Sequence, residues 1–148
     1  MIRIAFRYGD KRLFSRLVCL FQGGDSAHCE AAWSWRGATH DCVSASFLDG
    51  GVRRKAIALS PAKWRVYEVP GEPLEVVEWY GRHAREGYDW LGLMGFAFRR
   101  IKGFANRKFC SEACASIMGL PDAHRYDLAL LESVCMRYGR RVSVDDPS

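Results

Sequence analysis

The chain has 148 residues, of which 49% are hydrophobic and 13% are aromatic. This length predicts a single domain over residues 1–148, and the apolar content excludes a disordered chain because it can supply a core. The formal net charge of +5 would suit an anionic partner. No apolar run reaches about 18 residues, so we expect no transmembrane helix.

The first half of the chain predicts five strands and one helix. Apolar and polar residues alternate in the strand segments, whereas leucines in residues 11–21 recur at helical spacing. Gly23 and Gly24 end that helix, and residues 36–38 form a hairpin turn. The predicted strands are residues 2–8, 27–35, 39–47, 52–59 and 64–69.

The second half predicts four helices. Leu74, Val77 and Tyr80 share one face of the first, and Asp89 is the expected N-cap of the second. A basic loop over residues 103–107 precedes the third. The predicted helices are residues 74–86, 90–98, 110–118 and 125–138, followed by a frayed tail over 145–148. These elements predict an α+β fold in which helices pack against a small antiparallel sheet.

Cys110 stands where the third of these helices begins, directly after Arg107, Lys108 and Phe109. A helix N-terminus carries partial positive charge and free N–H groups, which favour the thiolate form of a cysteine. The thiolate is the nucleophile of cysteine hydrolases, and the Cys110 N–H would be an oxyanion donor. The alternative is a small core cysteine. Glu112, in the first turn, is expected to stabilise the helix dipole.

His28 and Glu30 lie two residues apart in a predicted strand, so their side chains should project from the same face. A histidine beside a carboxylate, together with a cysteine at a helix start, forms a nucleophile, a base and an orienting group. Taken singly, His28 would be a hydrogen-bonded structural histidine and Glu30 a solvated acid. The combination favours catalysis.

Four segments of the chain resemble, in order, those of the permuted NlpC/P60 (YiiX/YebB-like) papain-fold proteins, including small phage and bacterial members. The histidine precedes the cysteine here, as in that permuted group, and a triad is defined by geometry rather than by chain order. The segments are His28-Cys29-Glu30, Ser44 to Arg53, Tyr88-Asp89-Trp90-Leu91-Gly92 and Phe109-Cys110-Ser111-Glu112.

The resemblance implies a circularly permuted papain-like fold and a cysteine peptidase or amidase. It implies Cys110 as the nucleophile and His28 as the base. The expected substrate is a peptide or acyl compound, such as a cell-wall peptide of peptidoglycan, a related amide or an acyl ester, with acyl transfer also open. Phage-like relatives imply a virion or lysis-associated role.

The third member of the catalytic set has several candidates. Glu30 is preferred because a carboxylate is the stronger acceptor and would favour imidazolium; its alternative is a buried acid tied to a backbone amide or an arginine. His40 lies on the next predicted strand. Ser44 and Ser46 occupy the place where some family members carry an orienting carboxylate.

The six cysteines are irregularly spaced and are expected to be reduced thiols. Cys110 and Cys114 would share a helix face, but a structural zinc site usually draws on two close ligand pairs. The other close pair, His28 and Cys29, should point to opposite faces of a strand. We therefore expect no metal and no cofactor, with Cys114 as a packing residue.

Lys and Arg cluster in three segments, which could bind nucleic acid, an anionic polymer or an acidic partner. No sequence-specific nucleic acid is expected, because no known nucleic-acid-binding motif accompanies them. A non-catalytic binding module that uses these patches is the alternative to a hydrolase. Residues 1–7 alternate like a strand rather than a signal peptide, so we expect synthesis in the cytoplasm. The clusters are residues 53–55, 99–108 and 137–141.

Overall fold

A computed structural model of the protein describes residues 1–9, 13–22, 24–88 and 107–146. Its helices are α1 (Leu13–Gln22), α2 (Pro73–His83), α3 (Cys110–Ile117) and α4 (Leu128–Tyr138), with a 3-10 turn at Ala123–Arg125. Its strands are β1 (Ile2–Tyr8), β2 (Ser26–Arg36), β3 (Thr39–Ser46), β4 (Gly51–Ala58), β5 (Trp64–Val69), β6 (Gly87–Tyr88), β7 (Arg107–Lys108) and β8 (Arg140–Val142).

The strands form one sheet in the order β7-β6-β4-β3-β2-β1-β5-β8. Six neighbouring strands of this sheet pair antiparallel, in the order β4-β3-β2-β1-β5-β8. At the other edge, the two-residue strands β6 and β7 pair parallel. Helices pack on this sheet, so the predicted α+β class is confirmed. No helix in the described ranges is both long and apolar enough to cross a bilayer.

Alternation along β1 separates two hydrophobic clusters. Ile4 and Phe6 lie in the larger cluster, which includes residues of α2, α3 and α4. Ala5, between them, lies in a smaller cluster with Val66 and Val144. β1 is therefore buried on both faces, and β2, its neighbour in the sheet, is largely buried as well.

Glycines stand at the turns that join β2 to β3 and β3 to β4. Gly37 turns the β2–β3 hairpin with φ of 55°, a left-handed value that favours glycine. Gly51, with φ of 153°, begins β4, and a Cβ atom there would collide with the Glu86 carbonyl oxygen. The hairpin turn was predicted from the sequence, whereas the approach of Glu86 was not.

The predicted apolar face of α2 is wrong at two of its three positions. The buried residues are Val76 and Trp79, while Leu74 and Val77 are exposed and Tyr80 is partly buried against the core. Both sets have helical spacing, so periodicity alone could not separate them. The Trp79 indole N–H donates to Ser116 Oγ at 2.8 Å, which fixes the buried face against α3.

The C-terminal region also differs from its prediction. The expected helix over 125–138 begins later because Asp127 is its N-cap and accepts from the Leu130 N–H at 2.7 Å. In the expected frayed tail over 145–148, the Asp146 carbonyl accepts from Arg3 at 2.7 Å, two residues after the buried Val144, so the tail is held at this point; residues 147–148 lie outside the described ranges.

The predictions for Asp89 and for residues 90–98 and 103–106 lie outside the described residues. Arg107, the end of the predicted loop, belongs to β7.

Candidate active site

Cys110 is the first residue of α3 and is only 1% exposed. Phe109 before it is extended, with φ of −96° and ψ of 156°, so the chain enters the helix directly at the cysteine. Ser111 is buried and donates to the Tyr126 carbonyl at 2.6 Å, which ties the first turn to the segment before α4. The predicted helix start at Cys110 is confirmed, while its role as nucleophile stays a prediction. The oxyanion role of the Cys110 N–H stays a prediction.

His28 and Glu30 project from the same face of β2. His28 Nε2 lies 2.7 Å from Glu30 Oε1. The Glu30 side chain is 1% exposed and the His28 side chain is 20% exposed. The predicted neighbours are therefore hydrogen bonded to each other, and the imidazole is the more accessible of the two groups.

The electrostatics of Cys110 and His28 favour an ion pair. Burial opposes the Cys110 thiolate, but its contacts with Cys29 and His28 outweigh this and lower the Cys110 pKa to about 5. Burial likewise opposes the imidazolium, yet the charge of Glu30 and the contact with Cys110 raise the His28 pKa to about 10. Between these two values the thiolate and the imidazolium coexist.

Arg53 completes the arrangement around Glu30. Its Nη1 donates to Glu30 Oε2 at 2.7 Å, and its Nη2 donates to Glu30 Oε1. Its Nε donates to Asp49 Oδ2 at 2.9 Å, in the turn between β3 and β4. Burial acts to raise the pKa of Glu30, but His28 and then Arg53 hold it below the ordinary value of 4.5. Glu30 is therefore a buried carboxylate with two cationic neighbours.

The register of the sheet explains how Arg53 reaches Glu30 from two strands away. Arg53 on β4 is paired with Ser44 on β3. Extending the Ala31–Val43 pair of β2 and β3 by one residue puts Ser44 beside Glu30. The small Ser44 side chain thus lies between the long Arg53 side chain and the Glu30 carboxylate. An arginine partner was one of the alternatives for Glu30 that the sequence leaves open, and the signal that could have identified it is the cross-strand row of Glu30, Ser44 and Arg53.

The other candidates for the third position make their hydrogen bonds elsewhere. The His40 ring nitrogens face the Arg3 guanidinium at 3.2 Å and the Ala38 carbonyl at 3.1 Å. Ser44 donates to the Cys29 carbonyl at 2.6 Å, and Ser46 Oγ accepts from the Asp49 N–H at 3.4 Å. Glu30 is the one of the four that is hydrogen bonded to His28.

The cysteines are free thiols, and two of them, Cys29 and Cys114, are in contact. Cys29 and Cys114 are fully buried, and their sulfurs lie 3.4 Å apart. Cys110 interacts with both His28 and Cys29 even though these two residues are adjacent in β2. In the described parts of the chain no group of three or more His, Cys, Asp or Glu residues is placed to hold a metal ion.

Several residues of the basic clusters are already engaged. Arg54 lies over the Trp33 ring at 4.9 Å, and Lys55 is 3.9 Å from Asp49. Arg140, in β8, donates to Glu68 at 2.8 Å. Residues 99–106 lie outside the described ranges, so the middle cluster is described only at its end in β7.

Comparison with protein-family models gives no match to this chain. Comparison with curated proteins gives no match either.

Proposed function

We propose that this protein is a cysteine hydrolase, with Cys110 as nucleophile, His28 as base and acid, and Glu30 as the orienting carboxylate. The observation that carries the proposal is the order of contacts: a helix-start cysteine interacts with a histidine whose Nε2 is 2.7 Å from a buried carboxylate. A nucleophile, a base and an orienter in this order define the triad by its geometry.

We further propose that the fold is a circularly permuted papain-like one. Its support is the resemblance of the four sequence segments, together with a histidine strand that precedes the cysteine helix in the chain. The histidine strand β2 is central in the sheet, and α3 packs on it. The resemblance covers about residues 25 to 120, a span that includes the undescribed residues 89–106.

The mechanism follows from the charges of the site. The Cys110 thiolate attacks a carbonyl carbon, and N–H groups at the start of α3 stabilise the oxyanion. The intermediate collapses as the leaving amine takes a proton from the His28 imidazolium. Neutral His28 then removes a proton from water, which hydrolyses the thioester and releases the acid. Glu30 keeps the imidazole oriented and stabilises its positive charge throughout.

The substrate must approach from the side on which His28 is exposed, because Cys110 itself is 1% exposed. We propose a peptide, amide or acyl ester as the substrate class, with peptidoglycan peptides first, and a phage virion or lysis-associated setting; both rest on the family resemblance. A non-catalytic binding module has no need for a low-pKa cysteine paired with a histidine, which is why we prefer the hydrolase.

The proposal is tested by thiol labelling and hydrolysis together. One equivalent of iodoacetamide should label Cys110 below pH 7, as read by peptide mass spectrometry, and the other five cysteines serve as internal controls. Parent protein should hydrolyse peptidoglycan fragments or acyl esters, while Cys110→Ser should not, since serine is a poor nucleophile without a matched base. Equal hydrolysis by Cys110→Ser, or preferential labelling of another cysteine, would overturn the proposal.

A further inference from the structure

Arg53 makes more contacts with the candidate site than a surface cation would. Its guanidinium binds both oxygens of Glu30, and Glu30 Oε1 is also the oxygen that contacts His28. Asp49 holds the remaining Nε–H at 2.9 Å, so the plane of the guanidinium is fixed at both ends. The Arg53 side chain is 15% exposed, and its Glu30 partner is 1% exposed. Bidentate Arg–carboxylate pairs of this kind set orientation as well as charge.

We propose that Arg53 is a positioning residue: it holds Glu30 ionised and oriented against His28, and so leaves the imidazolium free to balance the Cys110 thiolate. The inference rests on the proposed hydrolase function and adds a fourth group to it. Arg53 itself would touch no substrate. It would act through Glu30.

A count of charges gives the sign of the effect. The active form of the site holds two anions, the Cys110 thiolate and Glu30, and two cations, His28 and Arg53. Without Arg53, one imidazolium would have to balance both anions in a buried place. Glu30 would keep the imidazolium because it is the stronger acid and lies 2.7 Å away. The Cys110 thiol would then hold its proton to a higher pH.

Other titratable or charged groups surround the cluster, among them Asp49, which Arg53 also binds. Burial raises the pKa of the Cys29 and Cys42 thiols, so both are neutral at pH 7. Arg53 holds the pKa of Asp49 below its ordinary value, and Asp49 is 34% exposed. The remaining neighbours are Arg7, which is paired with His28 in register, Lys55 on β4, and Glu112 and Cys114 on α3.

The test is a pH titration of the Cys110 thiolate by its ultraviolet absorbance, taken as the difference between each protein and the same protein carrying Cys110→Ala. This readout does not depend on access of a reagent to the sulfur. The parent midpoint is expected at about 5. Arg53→Gln, which removes the charge, should raise the midpoint by about one unit or more. Arg53→Lys, which keeps the charge, should leave it near that of the parent.

Arg54→Gln is the matched control, because it removes one cation from the next residue, which is exposed and lies over Trp33. Its midpoint should equal that of the parent. An equal shift in Arg54→Gln would show a general charge effect and would overturn the positioning role. An unchanged midpoint in Arg53→Gln would also overturn the positioning role. A parent that titrates near 9, the ordinary thiol value, would contradict the hydrolase proposal itself, which separates the two failures.

Near-ultraviolet circular dichroism checks that each variant is folded. If Arg53→Gln does not fold, the double variant Glu30→Gln/Arg53→Gln removes both buried charges and is compared with Glu30→Gln. Because Arg53 acts through Glu30, the added substitution should then leave the midpoint unchanged. A shift of about one unit between these two proteins would overturn the proposal.

Discussion

Two clusters on this sheet contain the same three residue types in different arrangements. One is Arg53, Glu30 and His28; the other contains Arg3, Glu68 and His40. In the first, the histidine contacts the carboxylate at 2.7 Å. In the second, the buried Arg3 lies between the other two: it donates to Glu68 at 3.1 Å, and its Nη1 faces His40 Nε2 at 3.2 Å.

The difference sets opposite protonation states. Beside its carboxylate and Cys110, and against the effect of burial, His28 has its pKa raised to about 10. Burial, and to a smaller extent the charge of Arg3, lower the pKa of His40. His40 is therefore neutral: Nε2 accepts from Arg3, and Nδ1 donates to the Ala38 carbonyl. The lesson is that the group facing the imidazole, rather than the composition of the cluster, decides which histidine can act as an acid.

The largest expected difference is in turnover. His28→Gln should reduce hydrolysis by at least about a thousandfold, because no group remains to protonate the leaving amine. His40→Gln should keep the turnover within a few-fold of the parent, since the His40 ring nitrogens bond to Arg3 and to the Ala38 carbonyl rather than to the candidate site. Initial rates on one acyl ester or peptidoglycan fragment, at matched concentrations of folded protein, give the comparison. A similar loss in both variants would show that the two clusters do not differ in function.

Removing the charge of Glu30 and of Glu68 should also affect turnover differently, with a smaller difference than for the two histidines. Glu30→Gln should lower turnover on the order of a hundredfold without abolishing it, because the amide still contacts His28 but carries no charge. Glu68→Gln, the matched change, should affect stability alone. Measurements of kcat together with urea unfolding separate the effect on turnover from the effect on stability. Complete loss of activity in Glu30→Gln would mean that the carboxylate does more than orient the histidine.

The two clusters should also contribute to the free energy of unfolding with different pH dependences. The His28 contribution is fully present below its ordinary pKa of 6.5 and is lost as pH rises through about 10. The Cys110 contribution is present above its ordinary pKa of 9.0 and is lost as pH falls through about 5. The ion pair should therefore stabilise the fold most between about pH 6.5 and 9.

His40 behaves differently, since its pKa is lowered from 6.5. Its contribution is present above pH 6.5 and declines only on the acid side. Urea unfolding from pH 5 to 10 of the parent, His40→Gln and His28→Gln/Cys110→Ser would check both signs. The decline above pH 9 should disappear from the double variant and remain in His40→Gln. If the decline above pH 9 persists in the double variant, the Cys110–His28 ion pair is not its source.

The smallest expected effect is at Cys114. Cys114→Ser should retain activity, because Cys114 is fully buried and its sulfur contacts Cys29 at 3.4 Å rather than the imidazole. A buried hydroxyl in an apolar place should cost about 1–3 kcal/mol of unfolding free energy. Thermal unfolding measures the loss of stability, and initial rates measure the activity. A large loss of turnover in a protein that remains folded would give Cys114 a chemical role.

Local patterns were enough to predict much of the fold. Alternation predicted β1 to β5 within one or two residues at each end, and two-residue spacing predicted that His28 and Glu30 share a face. The helix start at Cys110 was also predicted. These features depend on residues close together in the chain, where strand and helix periodicity is informative.

Apart from the pairing of Cys110 with His28, which was expected from the sequence, contacts between distant residues were not predicted. Arg53 reaches Glu30 across β3, so its role depends on the registers of two strand pairs. The strand β8 and the Arg3 contact with the Asp146 carbonyl join the two ends of the described chain. No periodic pattern carries such pairings, because they form only when the whole sheet is assembled.

The protonation state of His28 tests the central claim most directly. NMR of the parent with ring-labelled histidine, assigned with His28→Gln and His40→Gln, follows each imidazole through pH. His28 should remain protonated until about pH 10 and should titrate at a lower pH in Cys110→Ser, while His40 should stay neutral above pH 6.5. A His28 resonance that titrates near 6.5 and does not respond to Cys110→Ser would contradict the thiolate–imidazolium pair, and with it the proposed hydrolase site.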